Sequence, residues 1–487
     1  MDLVLNLAIW LPLAAAVPIA VLPGNGRRPR WIALAASGAV LLLSLVLAVN
    51  FQRAGVAGLQ FGTHIPWIDL MGVSYSVGLD GLSLPMFLLN SLLVFLAVLI
   101  SWNESRRTRE YFALVLVLET AVAGVFAAQD FLLFFLFWEL ELAPMFLLIG
   151  IWGGARREYA AMKFILYTVA GSAFMLLGIL MLYFAAPAPR SFSMLYLAAQ
   201  QYAPAVQSLA WLLLFLGFAV KVPIFPFHTW LPDAHTEAPT AISVLLAGVL
   251  LKMGAYGLLR VNVGMLPEAT QQAASTLAAL AVINIVYGAF VAMMQTDLKR
   301  VIANSSISHM GYAVLGAAAL TPAGIEGAVF QMFTHGTITG LLFMMVGLVY
   351  DRTHTRDIRV LGGLARRMPF IAVVFIIAGL ASLGLPGLSG FVSEFLIFVG
   401  AFPVWQPATI LAIATIVLTA GYILWLIERV FFGPERPDWQ GLRDASRLEA
   451  VTVSLLVLVI VLVGVLPSVL ADIVIPGVAP LAARYSG

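Results

Sequence analysis

The sequence predicts an all-α polytopic membrane protein with about fourteen transmembrane helices, and three observations predict it. Of its 487 residues, 62% are hydrophobic and only 10% are charged, where a soluble domain carries roughly 25% charged residues. Apolar runs of about 20 residues recur along the chain, each long enough to cross a bilayer. Basic residues crowd into alternate connections, the asymmetry expected of membrane loops. A soluble globular enzyme is excluded, and so is a disordered chain, which would be rich in charge and poor in apolar residues. The net charge of +2 implies no surface for nucleic acid or another polyanion. Cysteine is absent, so disulfides, thiolate metal sites and iron–sulfur clusters are excluded on this chain. No convincing strand is present, and no glycine-rich nucleotide loop follows one.

The spans centre near Leu13, Leu41, Leu92, Gly124, Glu141, Leu177, Gly217, Leu250, Val282, Leu315, Leu342, Gly387, Leu418 and Val461. The first begins right after Asp2 without a basic leader and reads as a retained helix. Odd-numbered loops hold Arg27, Arg28 and Arg30; Arg106, Arg107 and Arg109; Arg156, Arg157 and Lys163; Lys299 and Arg300. Two later odd loops hold Arg352 to Arg367 and Arg429 to Arg447. Even loops and the C-terminal tail hold only Arg53, Arg190, Arg260 and Arg484. The positive-inside rule then makes odd loops cytoplasmic and puts both termini outside a bacterial cytoplasmic membrane. The seventh loop breaks the pattern: it carries Asp233, His235 and Glu237 with no basic residue, which hints at a role beyond topology.

The only lysines are Lys163, Lys221, Lys252 and Lys299. Arginine stays charged under all conditions, whereas a buried lysine can lose its proton. Lys221 and Lys252 sit inside apolar runs, together with Glu119, Glu139, Glu141, His309, His335 and Glu394. Each full charge at a helix centre costs about 2.5–3.5 kcal/mol on insertion scales, so such groups mark proton or ion pathways.

Glu139 and Glu141 share the fifth span. Two residues apart on a helix, they face nearly opposite ways and cannot both meet one partner, and Glu139 is favoured as the functional one. In the seventh span Lys221 precedes Pro223 and Pro226, which remove backbone donors and should free the carbonyls of Ala219 and Val222. A span broken at membrane depth is tolerated only where it is buried in protein or lines a wet cavity. Lys252 lies in the eighth span among Gly248, Gly254 and Gly257, which permit close helix approach. That span has no proline, so no freed carbonyl is expected beside Lys252. Serines 305, 306 and 308 flank His309, and threonines 334, 337 and 339 flank His335; their hydroxyls could extend a proton wire through water. Pro386, among glycines, breaks the twelfth span before Glu394.

Two broken spans, five spans apart, indicate an inverted repeat with its transport site at the breaks. The expected organisation is residues 1–110 for spans 1–3, 111–262 for the first repeat (spans 4–8), 270–432 for the second (spans 9–13) and 448–487 for a C-terminal helix.

The segments WELELAPMFLLIGIWGG, VKVPIFPFHTWLPDAHTEAPTAISVLLAGVLLKMG, DLKRVIANSSISHMGY and LPGLSGFVSEFLI resemble the antiporter-like subunits of respiratory complex I. Glutamate at 394 and a chain that stops soon after span fourteen are similar to the subunit M, or chain-4, branch. The resemblance implies fourteen helices with two inverted five-helix repeats and translocation of protons in an NADH–quinone oxidoreductase. Glu139 would pair with Lys221, Lys252 would be the central lysine, His309 and His335 would line the wire, and Glu394 would be the terminal group. Asp233 and His235 would stabilise the seventh-to-eighth connection, and no role is implied for Glu119. FMN, iron–sulfur clusters and quinone would sit on partner subunits, with no cofactor or metal on this chain and antiporter-like neighbours on both sides. The competing readings are a subunit of a cation/proton antiporter complex, the equivalent subunit of a ferredoxin-fed photosynthetic complex, and a bis-histidine haem protein using His309 and His335.

Overall fold

The computed structural model describes residues 1–21, 26–51, 58–434 and 436–485; Arg53 lies outside these. Spans 1 to 6 are Asp2–Val21, Arg27–Asn50, Ser83–Ile100, Thr108–Ala127, Phe131–Trp152 and Arg157–Ala185. Spans 8, 9, 11, 13 and 14 are Thr240–Val263, Pro267–Met293, Pro322–Thr353, Gln406–Phe431 and Arg447–Val465. All are long and apolar enough to cross a membrane. Span 10, Leu298–Ala319, is as long but diluted by its serines and histidine. The fourteen expected spans are therefore all present. Ser468–Ala482 forms a further helix after a break at Pro467, so the expected single C-terminal helix is two.

Spans 7 and 12 are broken, as expected from their prolines. Span 7 runs as Pro204–Lys221 and then Trp230–Glu237. Span 12 runs as Pro369–Ser382 and then Ser389–Ala401. Each is the fourth span of its five-helix unit, which is the arrangement of an inverted repeat. Backbone groups released at the first break are taken up by neighbours, as burial requires. Asn284 of span 9 donates to Pro223 O (3.1 Å) and accepts from Phe225 N (2.8 Å), and Trp230 Nε1 donates to Val220 O (2.9 Å). Ala219 O, expected to be free, accepts from Ile224 N at 2.8 Å. The chain turns back on itself after Lys221, and that turn re-pairs the carbonyl.

One correction concerns strands. Between spans 2 and 3, β1 (Gln60–Ile68) and β2 (Val73–Leu79) form an antiparallel hairpin. Its residues do not alternate cleanly, because most of β1 is at the surface while β2 packs inward.

The most apolar stretches of spans 8 and 11 are entirely buried, so these two spans lie in the core of the molecule. Small residues set their spacing. A Cβ on Gly248 would lie 2.3 Å from Leu93 Cδ1 of span 3, and one on Gly336 2.7 Å from Gly248 O. Gly254 seats the end of span 7: a Cβ there would meet Lys221 Cβ and Val222 N at 2.8 Å.

Candidate proton-transfer site

Lys221 is the last residue of its half-helix, where the carbonyl end favours a cation. It is 1% exposed and its Nζ pairs with Glu141, which is fully buried. It also lies over the rings of Trp138 (5.4 Å) and Phe164 (5.7 Å), a favourable place for an ammonium. The contact corrects the sequence reading, which gave Lys221 to Glu139. Span 5 is interrupted at residue 141, between half-helices Phe131–Leu140 and Leu142–Trp152. Glu141, at the interruption, faces inward, and Glu139, two residues before it, turns the other way. Glu139 is half-buried and within Coulomb range of Lys221, and its buried Oε1 has no hydrogen-bond partner.

Lys252 is fully buried, and a second correction applies to it. The turn before it, Leu246–Leu250, is π-helical. The wider turn offers the Ala247 carbonyl to Lys252 Nζ, and the two are hydrogen bonded. A freed carbonyl is thus present without a proline; π turns of this kind recur at functional sites.

Lys252 Nζ also lies 2.6 Å from His335 Nδ1. The rings of His335 and His309 are 5.8 Å apart. His309 Nδ1 faces Glu394 Oε1 at 3.4 Å, and its Nε2 meets Ser382 Oγ at 3.2 Å. His309 therefore bridges both halves of the second broken span. His309, His335, Thr334, Gln331, Ser382 and Glu394 help line a cavity of about 10 Å³, measured as space open to the centre of a water molecule. That is room for about one water, and His335 Nε2 has no protein partner. Gly384, at φ 78°, backs onto Glu394: a Cβ there would demand the left-handed backbone and sit 2.7 Å from Glu394 Oε2. Pro386 stands in the same break. Lys252, His335, His309 and Glu394 thus form one continuous row.

The flanking hydroxyls do less than expected. Ser305, Ser306 and Ser308 donate to backbone carbonyls, as do Thr337 and Thr339. Only Thr334 lines the cavity, tied to Ser393 at 3.0 Å; Ser393 in turn donates to Gln331 Oε1 at 2.6 Å. Glu119 is fully buried with no partner for either oxygen.

Asp233 binds Lys163 at 2.8 Å and faces Arg156 and Arg300 at 3.6 Å each. The connection that lacks its own basic residues borrows three from two others. His235 behaves differently. It is fully buried, stacked on Phe343 at 4.6 Å, and neither ring nitrogen has a partner among the described residues. Lys252 and Lys299 are both within its Coulomb range. Lys299, which the sequence places in a loop, is 4% exposed, with Nζ bonded to Ala238 O. The signal that could have found it is the choice of lysine in loops otherwise written in arginine.

The family described as NADH:quinone oxidoreductase/Mrp antiporter, TM, matches residues 128–419, more than half of the chain and both breaks. The chain belongs to this family. Within it, the chain is 42% identical to NADH-quinone oxidoreductase subunit M of Rhodobacter capsulatus, over 100% of this chain and 97% of that one. It is 47% identical to NAD(P)H-quinone oxidoreductase chain 4 1 of Synechococcus sp. (strain JA-2-3B'a(2-13)), over 89% of this chain and 83% of that one. A chain of respiratory complex I from Thermus thermophilus superposes with a TM-score of 0.91 at 33% identity, covering 99% of this chain and 100% of that chain. A chain of the Mrp complex from Dietzia sp. superposes at 0.90, with 21% identity and 100% and 99% coverage, which shows the shared fold alone. A family member with this many apolar spans is a multi-pass integral membrane protein, and its relatives are chains of multi-subunit complexes.

Proposed function

We infer that this chain is the proton-translocating, antiporter-like membrane subunit, of the subunit M or chain-4 type, of an NADH–quinone oxidoreductase. The observation that carries this is the buried row Lys252–His335–His309–Glu394, which ties the middle of one repeat to the break of the other. Full-length similarity to a subunit M supports it. Quinone reduction occurs on partner subunits, which hold FMN and the iron–sulfur clusters. Energy arrives from membrane neighbours on both sides as a change in field or hydration at Lys221, Glu141 and Glu139. A positive charge moved toward Lys252 raises the energy of its ammonium form by like-charge repulsion. The proton passes to His335, then by one water to His309, and is drawn to anionic Glu394. His235, with two unpartnered ring nitrogens, is the group that reloads Lys252 from the Lys299 side.

A cation/proton antiporter subunit shares this fold, and a ferredoxin-fed complex is the variant suggested by the similarity to the cyanobacterial chain. Co-purification separates them. A complex that carries hydrophilic subunits with flavin and iron and oxidises NADH supports the first reading; a membrane assembly without them supports the antiporter.

Glu394→Gln is the direct test of the row. It retains the shape and a polar oxygen facing His309 but cannot change charge. The complex is expected to assemble and to lose most of its pumping in sealed vesicles. Glu394→Asp should lose less, because it keeps a titrating carboxyl on a shorter stem. Pumping at the wild-type rate in Glu394→Gln would reduce Glu394 to a packing residue.

The membrane in question is the bacterial cytoplasmic membrane, with the odd loops inside and both termini outside. A topology reporter fused at Arg367 should read as cytoplasmic. Periplasmic activity at that position would reverse the orientation.

A further inference from the structure

We propose that Arg260, clamped between Asp80 and Tyr256, is a fixed-charge stopper at the even-loop end of span 8. It denies a proton on Lys252 a direct way out through the first repeat and so forces the proton sideways to His335. The proposal rests on the proton-translocating reading above and on its orientation, which makes the even-loop face the outside.

Lys252, Tyr256 and Arg260 succeed one another down a single face of span 8, four residues apart. Tyr256 is fully buried and stands between the two cations on that face. Its hydroxyl donates to Phe126 O at 3.3 Å and accepts from Arg260 Nε at 3.2 Å. Its one donor is committed to Phe126 O and one of its lone pairs to Arg260, and a proton added to the hydroxyl would stand against the guanidinium charge. The guanidinium also lies over the Tyr256 ring, 5.4 Å from its centroid.

Arg260 cannot itself relay a proton, because guanidinium does not release one in proteins. Its charge is not simply cancelled by Asp80, which it meets at 2.6 Å. Asp80 Oδ1 also accepts from Leu82 N (3.1 Å), Ser83 N (3.0 Å) and Ser83 Oγ (3.1 Å). The carboxylate is shared with the positive N-terminal end of span 3, and the guanidinium stands between it and the Tyr256 hydroxyl, so the cation is the member of the pair nearer Tyr256. A fixed cation in a narrow path is an electrostatic barrier to protons and other cations. Packing covers the same end. The helix Ser468–Ala482 lies across the same end: a Cβ on Gly81 would fall 2.1 Å from Ile473 O. Tyr485 Oη donates to Val263 O at 2.5 Å, and Leu481 packs on Gly264.

One charge about 12 Å along the helix, at an effective dielectric of about 20, changes proton occupancy by about tenfold at most. The experiment uses the assembled complex in sealed vesicles, without NADH, under an imposed potassium diffusion potential, and reads passive proton entry with a pH dye. Arg260→Gln should leak about three- to tenfold faster than wild type. The double variant Asp80→Asn with Arg260→Gln keeps neutral hydrogen bonding and should leak alike. Asp80→Asn keeps the cation and should stay tight. An Asp80→Asn complex as leaky as Arg260→Gln would make the cluster a mere packing clamp. A tight double variant would equally overturn the proposal. Passive entry needs no turnover, so a wild-type complex that failed to pump would sink the proton-pumping reading while leaving this measurement readable.

Discussion

Lys252→Met abolishes proton pumping by the complex without removing the complex from native gels. Lys252 is fully buried and its Nζ reaches both the Ala247 carbonyl and His335 Nδ1. Methionine has nearly the same length and adapts to irregular space, and replacing a buried charge with a well-packed apolar group is often neutral for stability. What disappears is the group that takes and gives the proton. Positioned acid–base groups contribute about 10²–10⁴ in rate, so pumping should fall at least about a hundredfold. Proton uptake by vesicles and native gels are read on the same preparation. If the assembled complex vanishes, Lys252 is mainly structural and the row loses its centre.

Lys221→Ala should cut pumping and the coupled NADH oxidation together, because it strands Glu141 with no other cation in contact among the described residues. Breaking a buried pair by removing one partner costs about 3–5 kcal/mol. Lys221→Arg restores the charge but cannot release a proton, so it should not rescue pumping. A fully active arginine variant would favour a fixed-charge role. The two glutamates are separable in the same assay. Glu141→Gln removes the carboxylate in contact, and Glu139→Gln removes the one whose Oε1 is unpartnered. If the ammonium moves between them, both single variants lose pumping in an assembled complex. A Glu139→Gln complex that pumps at the wild-type rate would leave Glu139 as a contact to lipid or to a neighbouring chain.

Residues that deviate from their surroundings were legible in the sequence. Lys221, Lys252, His309, His335 and Glu394 stand out because a bilayer makes each of them expensive. Both breaks were legible because proline and glycine act on the local backbone. The hairpin β1–β2 was missed because it lies outside the spans and its apolar residues do not alternate. His235 was read as a brace because its motif neighbour Asp233 is one. Only the fold shows that Asp233 gathers three cations while His235 is buried with both nitrogens unpartnered.

The sequence by itself determined the membrane class, the fourteen spans, the alternation of loop charge and the list of ionisable groups at depth. These follow from composition and local hydropathy, which act residue by residue along the chain. The tertiary structure decided which of those groups meet. The rotation of span 5 about its axis put Glu141 rather than Glu139 against Lys221, and a π turn in an unbroken span gave Lys252 a carbonyl. The packing of spans 8, 10, 11 and 12 set His309 against residues 73 and 85 positions away. Side-chain direction at a helix break, and contact between helices distant in sequence, depend on three-dimensional packing that no local pattern encodes.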